Sequence, residues 1–178
     1  MDHLPPEALT PADVRPGAAL AASLLALNNA HASELSWLEP SALASLVAQA
    51  WLASRIGEVD AFMLVLDESA AYDSPNFGWF RARYPRFLYV DRVVVGSHAR
   101  GRGLARQLYE ALIATAARAR HARIVCEVNI SPPNPASDAF HAALGFVEIG
   151  QASIHGGAKR VRYLERSLDV RPHGEEAR

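Results

Sequence analysis

The stretch VVVGSHARGRGLARQLYEAL, from Val93 to Leu112, constrains the fold more than any other part of the chain. Three valines run into a loop holding Gly96, Gly101 and Gly103, and Leu104, Leu108 and Leu112 then recur at helical spacing. A helix begins with about four backbone N–H groups that have no partner inside it. Its aligned peptide dipoles add roughly half a positive charge at the same end. A strand that feeds a helix through glycines is therefore an anion cradle, because bare backbone lets phosphate oxygens approach closely. Arg100, Arg102 and Arg106 add charge at its rim.

Two common phosphate patterns fail on these residues. Gly96 and Gly101 have the P-loop separation, but Arg102 and Gly103 follow where Lys and a magnesium-binding hydroxyl belong. A dinucleotide fingerprint begun at Gly101 and Gly103 meets Arg106 where its third glycine should stand.

The rest of the chain reads as alternating elements. A proline-rich entry, with a short strand expected around Val14, precedes a helix carrying Leu20, Leu24 and Leu27 that frays at Asn28 and Asn29. A second helix starts near Pro40, and residues 51–69 predict a hairpin turning at Gly57. Residues 70–87 read as an aromatic-rich loop. FLYVDRVVV and ARIVCEVN are strands apolar on both faces, hence central. Asn134, Pro135 and Gly145 frame a short helix as N-cap, first residue and terminator. Two closing strands flank an HGG turn. No repeat or linker divides the chain, so one domain over 1–178 is expected, with a core at about 13–168 and flexible tails at 1–12 and 169–178.

Bulk properties narrow the function classes. A formal net charge of −1 gives no global basic field for nucleic acid or an anionic membrane, so anion binding must be local. One cysteine, Cys126, excludes an internal disulfide framework and suits a reducing compartment. The N-terminus does not read as a secretory signal and no apolar run approaches a membrane span, so a cytoplasmic protein is expected. The seven histidines lack metal-ligand spacing, and no metal is expected.

Arg100, Gly103 and Ala105 spell R-x-x-G-x-A directly after a Val-x-Val strand, and this resembles the coenzyme A pyrophosphate loop of the GNAT superfamily of N-acetyltransferases. Downstream, Asn134, Ser137, Phe140, His141, Gly145 and Phe146 fall at the spacings of that family's second motif. The element order agrees from about residue 13 to 168. The resemblance implies an α/β (α+β) fold: a mixed, mostly antiparallel sheet with a splayed parallel strand pair and about four flanking helices. It implies acetyl-CoA as cofactor. Pantetheine would lie along Val93, Val94 and Val95, and the pyrophosphate on Arg100, Gly101, Arg102, Gly103, Leu104 and Ala105. Asn129, Asn134, Ser137 and Phe140 would complete the cofactor site from the neighbouring strand and helix. It implies direct acyl transfer to the primary amine of a small molecule, amino acid or peptide. A homodimer follows only by analogy.

The chemistry needs a base to free the amine's lone pair and a proton or positive field for the departing thiolate. Asp91, expected to share a face with Tyr89, Val93 and Val95, is the first base candidate; its alternative is an ion pair with an arginine such as Arg92. Glu127 is the second. His141 stands where many family members carry a tyrosine acid; the alternative is a histidine packed on its helix. Cys126, among Ile124, Val125 and Val128, reads as a small buried hydrophobe. For the acceptor, Asn29, Glu34 and Ser36 offer charge and hydrogen bonds. Tyr72, Phe77 and Trp79 offer an aromatic wall, or else anchors for a long loop. The competing function is a non-catalytic acyl-CoA sensor, which needs the glycine loop but none of Asp91, Glu127 and His141.

Overall fold

Runs that are apolar on both faces become the middle of the sheet, and runs with one apolar face flank them. The computed structural model describes residues 4–33 and 35–168. Strands β1 (Glu7–Ala8), β2 (Leu52–Ile56), β3 (Ala61–Asp67), β4 (Leu88–Val95), β5 (Arg123–Ser131), β6 (Val147–Ile154) and β7 (Lys159–Ser167) form one sheet, ordered β1-β2-β3-β4-β5-β7-β6. Only the β4–β5 pair is parallel; the others are antiparallel. Among the described residues the α-helices are α1 (Ala19–Asn29), α2 (Pro40–Gln49), α3 (Pro75–Arg81), α4 (Leu104–Arg118) and α5 (Pro135–Ala143).

The sheet separates two apolar layers. On one face Leu24 of α1, Leu43 and Leu46 of α2, and Phe77 and Phe80 of α3 pack with Tyr89, Val94 and Val125. On the other, Leu104, Leu108, Tyr109 and Leu112 of α4 pack with Leu88, Val90, Ile124, Cys126 and Val128, while Phe140 of α5 closes the edge. Burying each such large side chain contributes roughly 1.5–3 kcal/mol. Successive residues of β5 thus alternate between layers, as pleating requires.

Three local expectations need correction. Val14 lies in a 3-10 helix, Pro11–Val14, and the first strand is Glu7–Ala8, paired to Arg55 and Ser54 of β2. Part of the expected N-terminal tail is therefore sheet edge; residues 169–178 lie outside the described residues. The aromatic segment expected to be a loop contains a helix, α3, one of five among the described residues. Ser74 caps α3 by accepting from the Phe77 N–H, and Pro75 fills the first helical position, where its missing N–H costs nothing. Phe77 and Phe80, three apart, point inward together with both side chains fully buried. Among the described residues no helix is long and apolar enough to cross a membrane.

Candidate active site

The glycine loop has the backbone that an anion cradle requires. Gly103, the N-cap of α4, has φ 76° and ψ 13°, and Gly101 has φ 76°. A residue with a Cβ would lose about 1–2 kcal/mol at each. Nothing stands within 4 Å of where a Cβ would project from either glycine, so the loop is unobstructed on that side. The loop is braced from behind by Asp60, in the turn between β2 and β3. Its carboxylate meets His98 Nε2 and accepts from Arg102 Nη1, both at 2.9 Å, and its carbonyl accepts from the Gly96 N–H at 2.8 Å. The His98 hydrogen bond, then that of Arg102, holds Asp60 below the usual carboxylate range. Arg102 is thus committed to Asp60, and Leu104 is buried in the core.

Beyond the loop the sheet opens. β4 and β5 pair only at Leu88–Ile124 and Tyr89–Val125. Past that point β4 follows β3 and β5 follows β7, and a cavity of about 430 Å³ lies in the wedge. Val93, Val94, Val95 and Arg100 line one wall, and Asn129, Asn134 and Ser137 the other. Asn134 also caps α5, its Oδ1 accepting from the Ser137 N–H. Gly101, Gly103 and Ala105 lie outside the cavity wall, on the cradle, and Phe140 packs edge-on against Tyr109.

On the α4–α5 side, Tyr109, Cys126 and His141 line the cavity. His141 is only 4 % exposed, with its Nδ1 at 2.8 Å from the Ser137 carbonyl and its Nε2 at 2.8 Å from the Tyr109 hydroxyl. A carbonyl can only accept, so Nδ1 carries the proton and the neutral ring's Nε2 accepts from Tyr109. Burial lowers the His141 pKa and raises that of Tyr109, keeping both neutral. Burial also pushes the Cys126 thiol up, away from thiolate chemistry.

The α1–α3 side carries the charge. The register between β3 and β4 passes from Leu64–Arg92 to Val65–Val90, leaving Asp91 unpaired in a bulge. The extra residue corrects the expected facing. Tyr89 and Val94 belong to the α1–α3 layer, whereas Val93 and Val95 pack on the α4 layer. Asp91 accepts from Arg92 Nε at 2.6 Å, with each side chain only 3 % exposed. Arg92 Nη1 donates to Asn28 Oδ1 at 2.7 Å. Asn28 donates to the Ser36 carbonyl and Asn29 donates to that of Leu38, so the pair braces the segment after α1.

Glu127, two residues past the last β4–β5 pair, faces the same side. Its Oε1 accepts from Asn76 Nδ2 at 2.9 Å and from the Tyr89 hydroxyl at 3.1 Å; Asn76 Oδ1 in turn accepts from Tyr163 at 3.1 Å. Oε2 is buried without a hydrogen-bond partner among the described residues. Burial raises the Glu127 pKa to about 7, against the pull of the Tyr89 and Asn76 hydrogen bonds.

Of the residues expected to meet an acceptor, Ser36 and Tyr72 line this cavity. Burial, then the neighbouring Asp91 carboxylate, holds the Tyr72 phenol well above its usual pKa. Asn29 instead braces the chain at Leu38, Phe77 is core, and Trp79 stacks on Tyr163 at 4.1 Å between ring centroids. A Cβ at Gly150 would stand 2.6 Å from the Trp79 ring, so that glycine makes room for it. Glu34 lies outside the described residues. Sequence reasoning missed Asn76, Arg92 as a cavity residue, and Tyr109. Only Asn76 had a local signal: Ser74-Pro75 opens a helix whose second residue it is.

The acetyltransferase (GNAT) family model matches residues 32–146. L-2,4-diaminobutyric acid acetyltransferase of Wolinella succinogenes is 32% identical over 82 residues, 46% of this chain; the matched stretch spans 47% of that relative, about half its length. Among solved structures, the ribosomal-protein-S18-alanine N-acetyltransferase from Escherichia coli superposes with TM-score 0.64 at 17% identity, covering 97% of each chain. A putative acetyltransferase from Salmonella typhimurium, solved with its cofactor acetyl-CoA, has TM-score 0.64 at 18% identity, covering 99% of this chain and 100% of that one. The splayed strands, the glycine cradle and the family match over most of the chain agree: the chain belongs to the GNAT acetyltransferase family.

Proposed function

We propose that the protein is an acetyl-CoA-dependent N-acetyltransferase acting on the primary amine of a small molecule, with Glu127 as the general base. One observation carries this reading. A carboxyl group lies close to where β4 and β5 part, oriented through Oε1 by Asn76 and Tyr89, with its pKa raised to about 7. A base poised near the working pH is what proton removal from an ammonium demands. Asp91 is less suited, because its carboxylate is engaged by Arg92. A non-catalytic sensor would have no use for a buried, unpaired carboxylate oxygen, which costs stability.

The cradle suits the pyrophosphate of coenzyme A: two left-handed glycines, open space where a Cβ would stand, and Arg100 on the wall. Bound there, acetyl-CoA supplies an acetyl group activated as a thioester. Glu127 takes the proton that leaves the amine a nucleophile. Tyr109 lines the wedge from the cofactor side with its one O–H donated to His141 Nε2, and turning that proton toward the sulfur is how it would serve a departing thiolate. Val93, Val94 and Val95, which line the cavity, would hold the pantetheine arm along β4.

The acceptor reading draws on the cavity that Ser36 and Tyr72 share with Glu127 and on the relative, named for L-2,4-diaminobutyric acid. The test is thiol release from acetyl-CoA with a panel of amines, amino acids and short peptides. Turnover that Glu127→Gln abolishes supports the reading. Tight acetyl-CoA binding with no turnover of any amine would favour the sensor.

A further inference from the structure

Arg92 has a hydrogen-bonding group that the fold does not use. Its Nε is held by Asp91 and its Nη1 by Asn28, and Nη2 has no partner among the described residues. The residue is 4 % exposed yet lines the cavity. Nη2 is not among the fully buried unpartnered atoms, so in a residue that lines the cavity it is the group left for an acceptor there. The guanidinium is also pre-set. The bulge at Asp91 places two consecutive residues of β4 on one face, and the Asn28–Ser36 and Asn29–Leu38 bonds lock the far side. Little side-chain entropy remains to be lost on binding.

The charges around it have both signs. Asp73, Asp91 and Glu127 share the cavity wall with Arg92 and Lys159. A plain polyamine would leave the guanidinium's free N–H unsatisfied, and a plain carboxylate would meet the acids. A zwitterion answers both.

We propose that the acceptor is a free amino acid, its amine directed to Glu127 and its own carboxylate accepting from Arg92 Nη2. The proposal rests on the acetyltransferase reading and names the acceptor class of the same site.

Matched pairs that differ by the carboxylate test it: L-2,4-diaminobutyrate with 1,3-diaminopropane, L-lysine with 1,5-diaminopentane, and L-alanine with ethylamine. Thiol release by the full chain should favour the carboxylate member of at least one pair by roughly 10- to 100-fold in kcat/KM, the usual worth of a charge-assisted hydrogen bond. Arg92→Lys, checked for folding by acetyl-CoA binding, should shrink that ratio by raising KM for the amino acid more than it lowers kcat. Equal turnover of both members in every pair overturns the proposal and leaves the acetyltransferase reading standing, as does turnover confined to short peptides. Should no amine be turned over, calorimetry on the coenzyme A-saturated protein decides: binding of an amino acid but not its decarboxylated partner upholds the carboxylate site, and binding of neither overturns it.

Discussion

Asn76 of α3 and Glu127 of β5, 51 residues apart in the chain, meet in a 2.9 Å hydrogen bond that sets the carboxylate's orientation. The bond uses one oxygen only. The second is left buried and unpartnered, and that desolvation keeps the acid's pKa near neutrality.

Replacing Glu127 by Gln should separate activity from stability. Steady-state assays should show kcat falling by about 10²- to 10⁴-fold, the usual worth of a general base. Its folded-state pKa is raised from 4.5 to about 7, so between those values the folded protein binds more protons than the unfolded chain. Wild-type stability therefore falls as pH rises through that window, by on the order of 3 kcal/mol in full. The amide pays no such penalty, and its Tm should gain on the wild type from pH 5 to pH 8.

The rate itself should rise with pH as Glu127 loses its proton, with a midpoint in kcat/KM near 7. Asn76→Ala removes a hydrogen bond that favours the charged carboxylate. The midpoint should then move upward, by about half a unit to one unit, and kcat at pH 7 should drop. A profile that stays in place would mean Asn76 holds only α3.

Gly103→Ala puts a side chain where φ is 76° and the space is open. The strain should lower stability by about 1–2 kcal/mol. The added methyl also intrudes on the anion's approach, so KM for acetyl-CoA should rise well beyond kcat's change.

Phe77→Ala distinguishes core from acceptor wall. A fully buried phenylalanine should cost about 3–5 kcal/mol, read as a fall in Tm or denaturant midpoint. Tyr72→Phe, at the cavity, should leave Tm nearly unchanged and raise the acceptor KM instead.

Much of this molecule was legible from local chemistry. The glycine loop, the Leu104–Leu108–Leu112 stripe, the Asn134 cap and the doubly apolar strands are written in neighbouring residues, because capping, turn geometry and pleat alternation act over a few positions. They were enough to order the elements and to single out the loop whose two left-handed glycines suit an anion cradle. The α3 helix was missed because glycine and proline in 70–87 read as breakers, although Ser74-Pro75 begins a helix rather than ending one.

What only the tertiary structure decided lies across the sheet. The bulge that turns Asp91 toward Arg92 depends on the register of β3, which no run of β4 residues specifies. Which carboxylate would be free depended on partners far away in sequence: Arg92 and Asn28 around one, Asn76, Tyr89 and Tyr163 around the other. Likewise His141 has the spacing of an acid, yet its nitrogens are taken by Ser137 and by Tyr109 from a different helix. Local sequence sets backbone conformation through short-range sterics and hydrogen bonds, whereas burial and pairing of ionisable groups are set by whichever distant side chains share the same few ångströms.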